Sequence, residues 1–185
     1  MDIFSLHLGK MSIMSYTVLK NSPKTSEEKA VLALANVVRQ KAPATEIAWL
    51  ILGGKGFMTK EPVSGLDFLT ASVKGIPKLS VENLARIMNI PMKDMAALLN
   101  LSYKTLARKR KTDVLNNVVS SLSIEIANTV AKGLSVFEDA DTLNRWLHKE
   151  NKALNGQKPF DLLNTPTGIN LVNQILGRIE EGVYS

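Results

Sequence analysis

The chain has 185 residues, 45% hydrophobic and 22% charged, ordinary proportions for a folded protein with a core in one large domain or two small ones. Aromatics make up only 5%, so aliphatic side chains must fill that core, a mix that favours packed helices over sheet. A net charge of +6 points to a polyanionic partner; the absence of cysteine excludes disulfides, thiol catalysis and cysteine-bound zinc and fits a reducing, cytoplasmic setting.

Residues 1–20 lack the basic flank and unbroken apolar stretch of a signal peptide and read as a flexible arm. No apolar run in the chain reaches the ~18 residues of a membrane span. Thr25 and Glu28 then stand at capping-box spacing, and Val31, Leu34, Ala35 and Val38 recur at helical spacing, which predicts a helix over 26–42 stopped by Pro43. A second, more buried helix is expected from Thr45 to Leu52, ending at Gly53-Gly54. The stretch Gly53-Gly54-Lys55-Gly56 lacks the full spacing of a phosphate loop and follows a helix rather than a strand, so it reads as a turn. A third helix is expected over 62–74, ending at Gly75-Ile76-Pro77. Residues 21–75 thus form an N-terminal helical region whose apolar surface offers itself for dimerisation.

The positive charge is concentrated in the middle. Residues 80–115 hold seven basic side chains against three acidic ones, whereas residues 116–185 are mildly acidic. Within that centre, residues 91–111 have the spacing of a helix-turn-helix. A small residue, Ala96, lies in the first helix, Asn100 stands at a turn that needs a left-handed residue, and Leu106 lies in the second helix. Met95, Leu99 and Leu101 supply apolar contacts. Ser102 is expected to cap the second helix, whose first turn presents Tyr103, Lys104 and Thr105 to base edges, with Arg108 one turn later. Lys109, Arg110 and Lys111 would extend the basic end towards phosphates. A basic cluster by itself also fits a solvated helix end that complements the helix dipole; the spacing directly before it favours operator DNA. Tyr103 is open to two readings, a DNA contact or packing against a neighbouring helix. Residues 76–115 are therefore assigned to a helix-turn-helix region.

Over residues 116–185 every signal is helical. Ser123 can cap a helix carrying Ala127, Val130, Ala131 and Leu134; Asp139 can cap the next, with Leu143, Trp146 and Leu147. Trp146 is expected in the core and His148 on the surface. Asn155-Gly156 is a turn signal, and Thr165-Pro166 is an N-cap followed by proline at the first helical position. That last helix carries Val172, Ile175, Leu176 and Ile179 on one face and closes at Gly182. The fold class is all-α. Catalysis finds no support: His7 and His148 stand apart from any nucleophile, Asp139 and Asp141 at i, i+2 face different ways, and no metal-ligand spacing occurs. The chain is expected to be no enzyme and to hold no cofactor or metal.

The C-terminal third also carries an ordered series: Val136-Phe137-Glu138-Asp139, Trp146-Leu147, Asn151 through Asn155-Gly156 to Pro159, Leu162-Leu163, Thr165 to Gly168, and Arg178-Ile179-Glu180-Glu181-Gly182. It resembles the toxin-binding domain of the Xre/MbcA/ParS antitoxins, which pair with RES-domain toxins. The resemblance spans about residues 73–185 and is most specific at the C-terminal end. Two positions depart from the family pattern: Asn155 replaces the first glycine of a turn, and the basic run after the second helix mixes lysine with arginine, which suits phosphates better than bidentate base contacts.

The resemblance implies a small helical toxin-binding domain over residues 116–185, behind an Xre-like helix-turn-helix. It implies an antitoxin of a type II toxin–antitoxin system that blocks an NAD-consuming toxin and represses its own operon. NAD would be the toxin's substrate, not a ligand of this chain. Arg178, Glu181, Gly182, Val183, Tyr184 and Ser185 are the residues expected to meet the toxin, the free tail entering a pocket. Half-site reading implies a homodimer or a higher complex with toxin. The other reading is a helix-turn-helix regulator whose C-terminal domain only dimerises or binds another partner; a localisation adaptor would have no need of the basic helix.

Overall fold

Ten α-helices and two single turns of 3-10 helix make up the secondary structure of residues 26–183, the part of the chain that the computed structural model describes. The expected arm over residues 1–20, His7, the Thr25–Glu28 capping box, Tyr184 and Ser185 lie outside the described residues. Among the described residues the only extended pairing is one isolated antiparallel bridge between Pro77 and Val114, so the chain is all-α.

Helix ends here are set by local chemistry. Helix α1 (Ser26–Arg39) stops before Pro43 because Lys41 turns left-handed at φ 54°, sending its N–H to Val38 and that of Ala42 to Val37. Helix α2 (Ala44–Ile51) ends at Gly53, whose φ of 115° opens the 3-10 turn Gly54–Gly56. The Trp49 indole N–H donates to the Met58 carbonyl at 3.1 Å and folds this loop back, so the glycine stretch is a structural turn. Helix α3 (Gly65–Lys74) starts where Asp67 accepts the N–H groups of Val63 and Ser64 at 2.9 and 3.0 Å. Helices α4 (Lys78–Ile87), α5 (Met92–Leu98) and α6 (Tyr103–Ala107) follow in quick succession.

Helix α7 (Asn117–Phe137) is the longest, at 21 residues, or about 31 Å. Its cap is Asn116, which accepts the Val119 N–H at 2.9 Å. The cap expected at Ser123 is absent: that residue is buried inside the helix, and its hydroxyl donates back to the Val119 carbonyl at 2.7 Å. Helices α8 (Ala140–Leu147), α9 (Pro159–Leu162) and α10 (Pro166–Glu180) complete the chain. Asp139 caps α8 through the Thr142 N–H, and Thr165 caps α10 through the Gly168 N–H with Pro166 next to it, both as expected.

Helix α7 packs against α2, α3 and α10. Its buried face (Val119, Leu122, Ile126, Val130, Leu134) lies in one apolar core continuous from Leu34 in α1 to Leu176 in α10. One buried hydroxyl fixes the register of this core. Ser120, fully buried on α7, accepts the Ile76 N–H at 3.0 Å and donates to the Leu115 carbonyl at 3.2 Å. Ser120→Ala strands the Ile76 N–H in an apolar setting, and urea unfolding should register a loss of roughly 1–3 kcal/mol; an unchanged midpoint would show that the link is dispensable.

Candidate functional site

Helices α5 and α6 enclose a tight turn. Ala96 is buried, as the close approach of α6 requires, and Met95, Leu99 and Leu106 are buried with it. Asn100 takes φ 54°; its N–H goes to Ala97 and that of Leu101 to Ala96, so the turn closes on two backbone bonds. Ser102 caps α6 by accepting the Thr105 N–H at 3.1 Å, and the two hydroxyls share a hydrogen bond of 2.8 Å. Tyr103, Lys104, Thr105 and Arg108 all face solvent. Tyr103 is 53% exposed, which favours its availability to a ligand over packing against a neighbouring helix.

Helix α6 is only five residues long, and the basic run does not prolong it. Residues 109–113 instead form a loop that serves the start of α4. The carbonyls of Asp113 and Lys111 accept the Lys78 and Leu79 N–H groups at 3.0 and 2.9 Å, two donors that the first turn of a helix leaves without partners. The Lys78 ammonium, largely buried and 3.3 Å from Glu82, donates to the Lys109 carbonyl at 2.9 Å. With the loop backbone bonded to α4, the side chains of Arg110 and Lys111 are left in solvent, while Lys109 is half-buried.

Arg110 is bound to Asp113 twice, through its N–H at 2.9 Å and its Nε at 3.0 Å. The backbone N–H is the main reason that the Asp113 carboxyl lies below its ordinary range; burial opposes it, and the charges of Arg110 and Lys109 add to it. Because the folded value is depressed, the support that Asp113 gives the loop is present at neutral pH and fades as pH falls through the lowered value.

At the other end, Trp146 is not in the core as expected. It is half-buried, tilted against Phe137 with ring centroids 5.5 Å apart, and lines a groove with Ile175, Arg178, Ile179 and Val183. Packing on one side and an open groove on the other account for the partial cover. His148 is exposed, as expected, and stacks on Phe160 at 4.6 Å. Gly182, at φ 72°, ends α10 by donating to the Ile179 carbonyl, and Val183 donates to Arg178. Arg178, Glu181, Gly182 and Val183 are therefore grouped and exposed at one helix end.

Two side-chain amide contacts that sequence reasoning did not foresee join these surfaces, one from the turn residue Asn100 and one from Asn144. Asn100 Nδ2 donates to the Asn164 carbonyl at 3.0 Å, and Asn144 Nδ2 to the Ile87 carbonyl at 3.3 Å. The turn of the helix pair is thus held to the loop before α10. Among the described residues no cluster of His, Cys, Asp or Glu could hold a metal ion, and no helix is long and apolar enough to cross a membrane.

Residues 67–128, from α3 to the middle of α7, match the antitoxin Xre-like helix-turn-helix domain, and residues 132–182 match the antitoxin Xre/MbcA/ParS C-terminal toxin-binding domain. The chain belongs to the Xre/MbcA/ParS-type antitoxins. No curated protein matches it. In this antitoxin the two family domains meet inside α7, so both are built on one helix.

The geometry of the basic loop ranks its charges for DNA binding. With Arg110 neutralised by Asp113, Arg110→Ala should weaken binding of a DNA duplex less than Lys104→Ala or Arg108→Ala does, by a factor of about three or more. Fluorescence anisotropy at fixed salt checks the order; equal losses for all three would mean that the ion pair opens on the duplex.

Proposed function

We propose that this antitoxin binds and blocks a RES-domain toxin that consumes NAD, and that the same chain represses its own operon. The observation that carries this reading is the order of the two family domains, a helix-turn-helix and then a toxin-binding domain, on one chain. The chain acts by binding alone and needs no cofactor. At the operator, Tyr103 and Lys104 in the first turn of α6 and Arg108 at its end approach base edges, with Ser102 and Thr105 fixing that turn. Lys109, Arg110 and Lys111 meet phosphates. At the toxin, Arg178 near the end of α10 and Glu181, Gly182, Val183, Tyr184 and Ser185 after it meet the mouth of the NAD pocket, where an inserted segment excludes substrate. The working assembly is a homodimer bound to toxin and to DNA.

The test is growth of cells that express the adjacent open reading frame alone, with the full chain, or with the chain truncated after Gly182. Growth arrest by the reading frame and rescue by the full chain support the antitoxin role. Rescue should weaken on truncation, by tenfold or more in the antitoxin level required, while operator binding stays intact. Undiminished rescue would sink the role of the tail. If the reading frame causes no arrest, the chain is a regulator whose C-terminal domain serves another partner.

A further inference from the structure

Helix α3 is turned inside out relative to an ordinary amphipathic helix. Its inner face buries one large apolar side chain, Phe68, stacked on Phe57, together with Ser72. Its outer face carries Leu66, Leu69 and Val73. With Val63 just before the helix, and Val114 and Val118 near its far end, these residues are between 53% and 92% exposed. They make up six of the eleven large hydrophobic residues that the described chain leaves exposed, and that clustering is more than scattered surface apolarity explains.

We propose that this stripe is the self-association surface of the antitoxin, two copies of α3 packing antiparallel about a two-fold axis. The inference rests on the reading above that the chain binds a two-half-site operator. Four observations favour a second copy over any other occupant. First, Leu66, Leu69, Thr70 and Val73 stand at i, i+3, i+4 and i+7, a spacing that reads the same in both directions. Reversal about a point between Leu69 and Thr70 sets Leu66 of one copy against Val73 of the other, which is the self-complementarity an isologous interface needs. Second, the ends match: Val63 precedes the N-terminus of α3, and Val114 lies against Gly75 at its C-terminus, so the antiparallel arrangement covers Val63 with Val114 of the second copy. Third, Asp67 lies in the first turn and Lys74 in the last, and antiparallel pairing brings opposite charges and opposite dipole ends together. Fourth, Val114 directly follows the basic loop 109–113, so the surface continues from the DNA-facing one. A five-residue α6 spans few base pairs, and a two-fold axis beside it presents a second α6 to the next half-site.

The chain contains no cysteine, which makes disulfide trapping specific. Leu66→Cys and Val73→Cys chains, mixed and oxidised, should form a cross-linked dimer, whereas Leu66→Cys alone should not. Full-length wild type should sediment as a dimer and Leu69→Glu as a monomer of equal helicity, because the side chain is exposed in the single chain; the melting temperature of wild type should rise with protein concentration and that of Leu69→Glu should not. Leu171→Glu, at an exposed position on α10, should remain dimeric. Leu69→Glu should also lose about 100-fold in affinity for a two-half-site duplex while retaining its affinity for a single half-site.

A monomeric wild type, a dimeric Leu69→Glu, or a mixture that does not cross-link overturns the proposal. So does a full chain that becomes dimeric only after residues 1–25 are removed, because the N-terminal segment is then the occupant. A dimer abolished by Leu69→Glu that binds no DNA at all would leave the interface standing and refute the operator reading instead.

Discussion

Gly168→Ala should cost about 3 kcal/mol or more, because it adds a methyl group where a backbone atom already stands. Gly168 is buried in the first turn of α10, and a Cβ there would overlap the carbonyl oxygen of Leu162 and lie 3.0 Å from its Cβ. A crowded side chain can change rotamer; this carbonyl belongs to α9, which would have to lift off α10 and uncover Leu163 and Ile169. At roughly 2–4 °C per kcal/mol for a chain of this size, the melting temperature should fall by about 10 °C. Gly65→Ala is the matched control: no atom lies within 4 Å of its Cβ, so its effect should stay within about 0.5 kcal/mol. Differential scanning calorimetry of the two variants decides the matter, and equal melting temperatures would mean that α9 has slack the packing does not show. The pair Thr165 and Gly168 thereby acquires two physical roles: the hydroxyl caps the helix, and the missing side chain lets the preceding helix close on it.

Lys104→Ala combined with Arg108→Ala should abolish specific operator binding, with a loss of 100-fold or more, and leave toxin neutralisation unchanged. Both side chains are exposed on or directly beside α6, with Leu106 between them anchored in the core, so their removal leaves the fold intact. If both contact the duplex chiefly through phosphates, the slope of log affinity against log salt should decrease by about two. An unchanged slope with lost specificity would place them on bases instead. Loss of neutralisation as well would mean that the two surfaces are not separable.

The parts of the fold legible in the sequence are those governed by residues close in the chain. Asp139, Thr165-Pro166 and Asn155-Gly156 each act within four residues, and each does what its type predicts. Ser123 shows the limit of the same logic: a serine can cap a helix or bond back into one, and the choice depended on Asn116 seven residues earlier. The start of α6 was legible at Ser102, but its early end was not. That end is imposed by Lys78 and the open N–H groups of α4, some thirty residues away. Trp146 was read as core from its residue type; its half-exposure follows from the groove beside α10, which no local pattern encodes. The role of Asn100 was legible for its backbone, whereas the hydrogen bond that its side-chain amide donates to the Asn164 carbonyl is a contact across 64 residues.

The shared helix α7 also bears on how such an antitoxin could be recombined. Domains joined by a loose linker can be exchanged by crossover within the linker. Here the seam between the two family domains falls between residues 128 and 132, in the interior of an uninterrupted helix whose buried side chains face α2, α3 and α10. A chimera spliced at that seam would inherit half a helix from each parent and a core shaped for neither. Viable hybrids should instead keep α7 together with the helices packed on it and exchange exposed residues at the end of α10, such as Arg178, Glu181 and Val183. A change of toxin partner would then come from repainting a surface rather than from swapping a module.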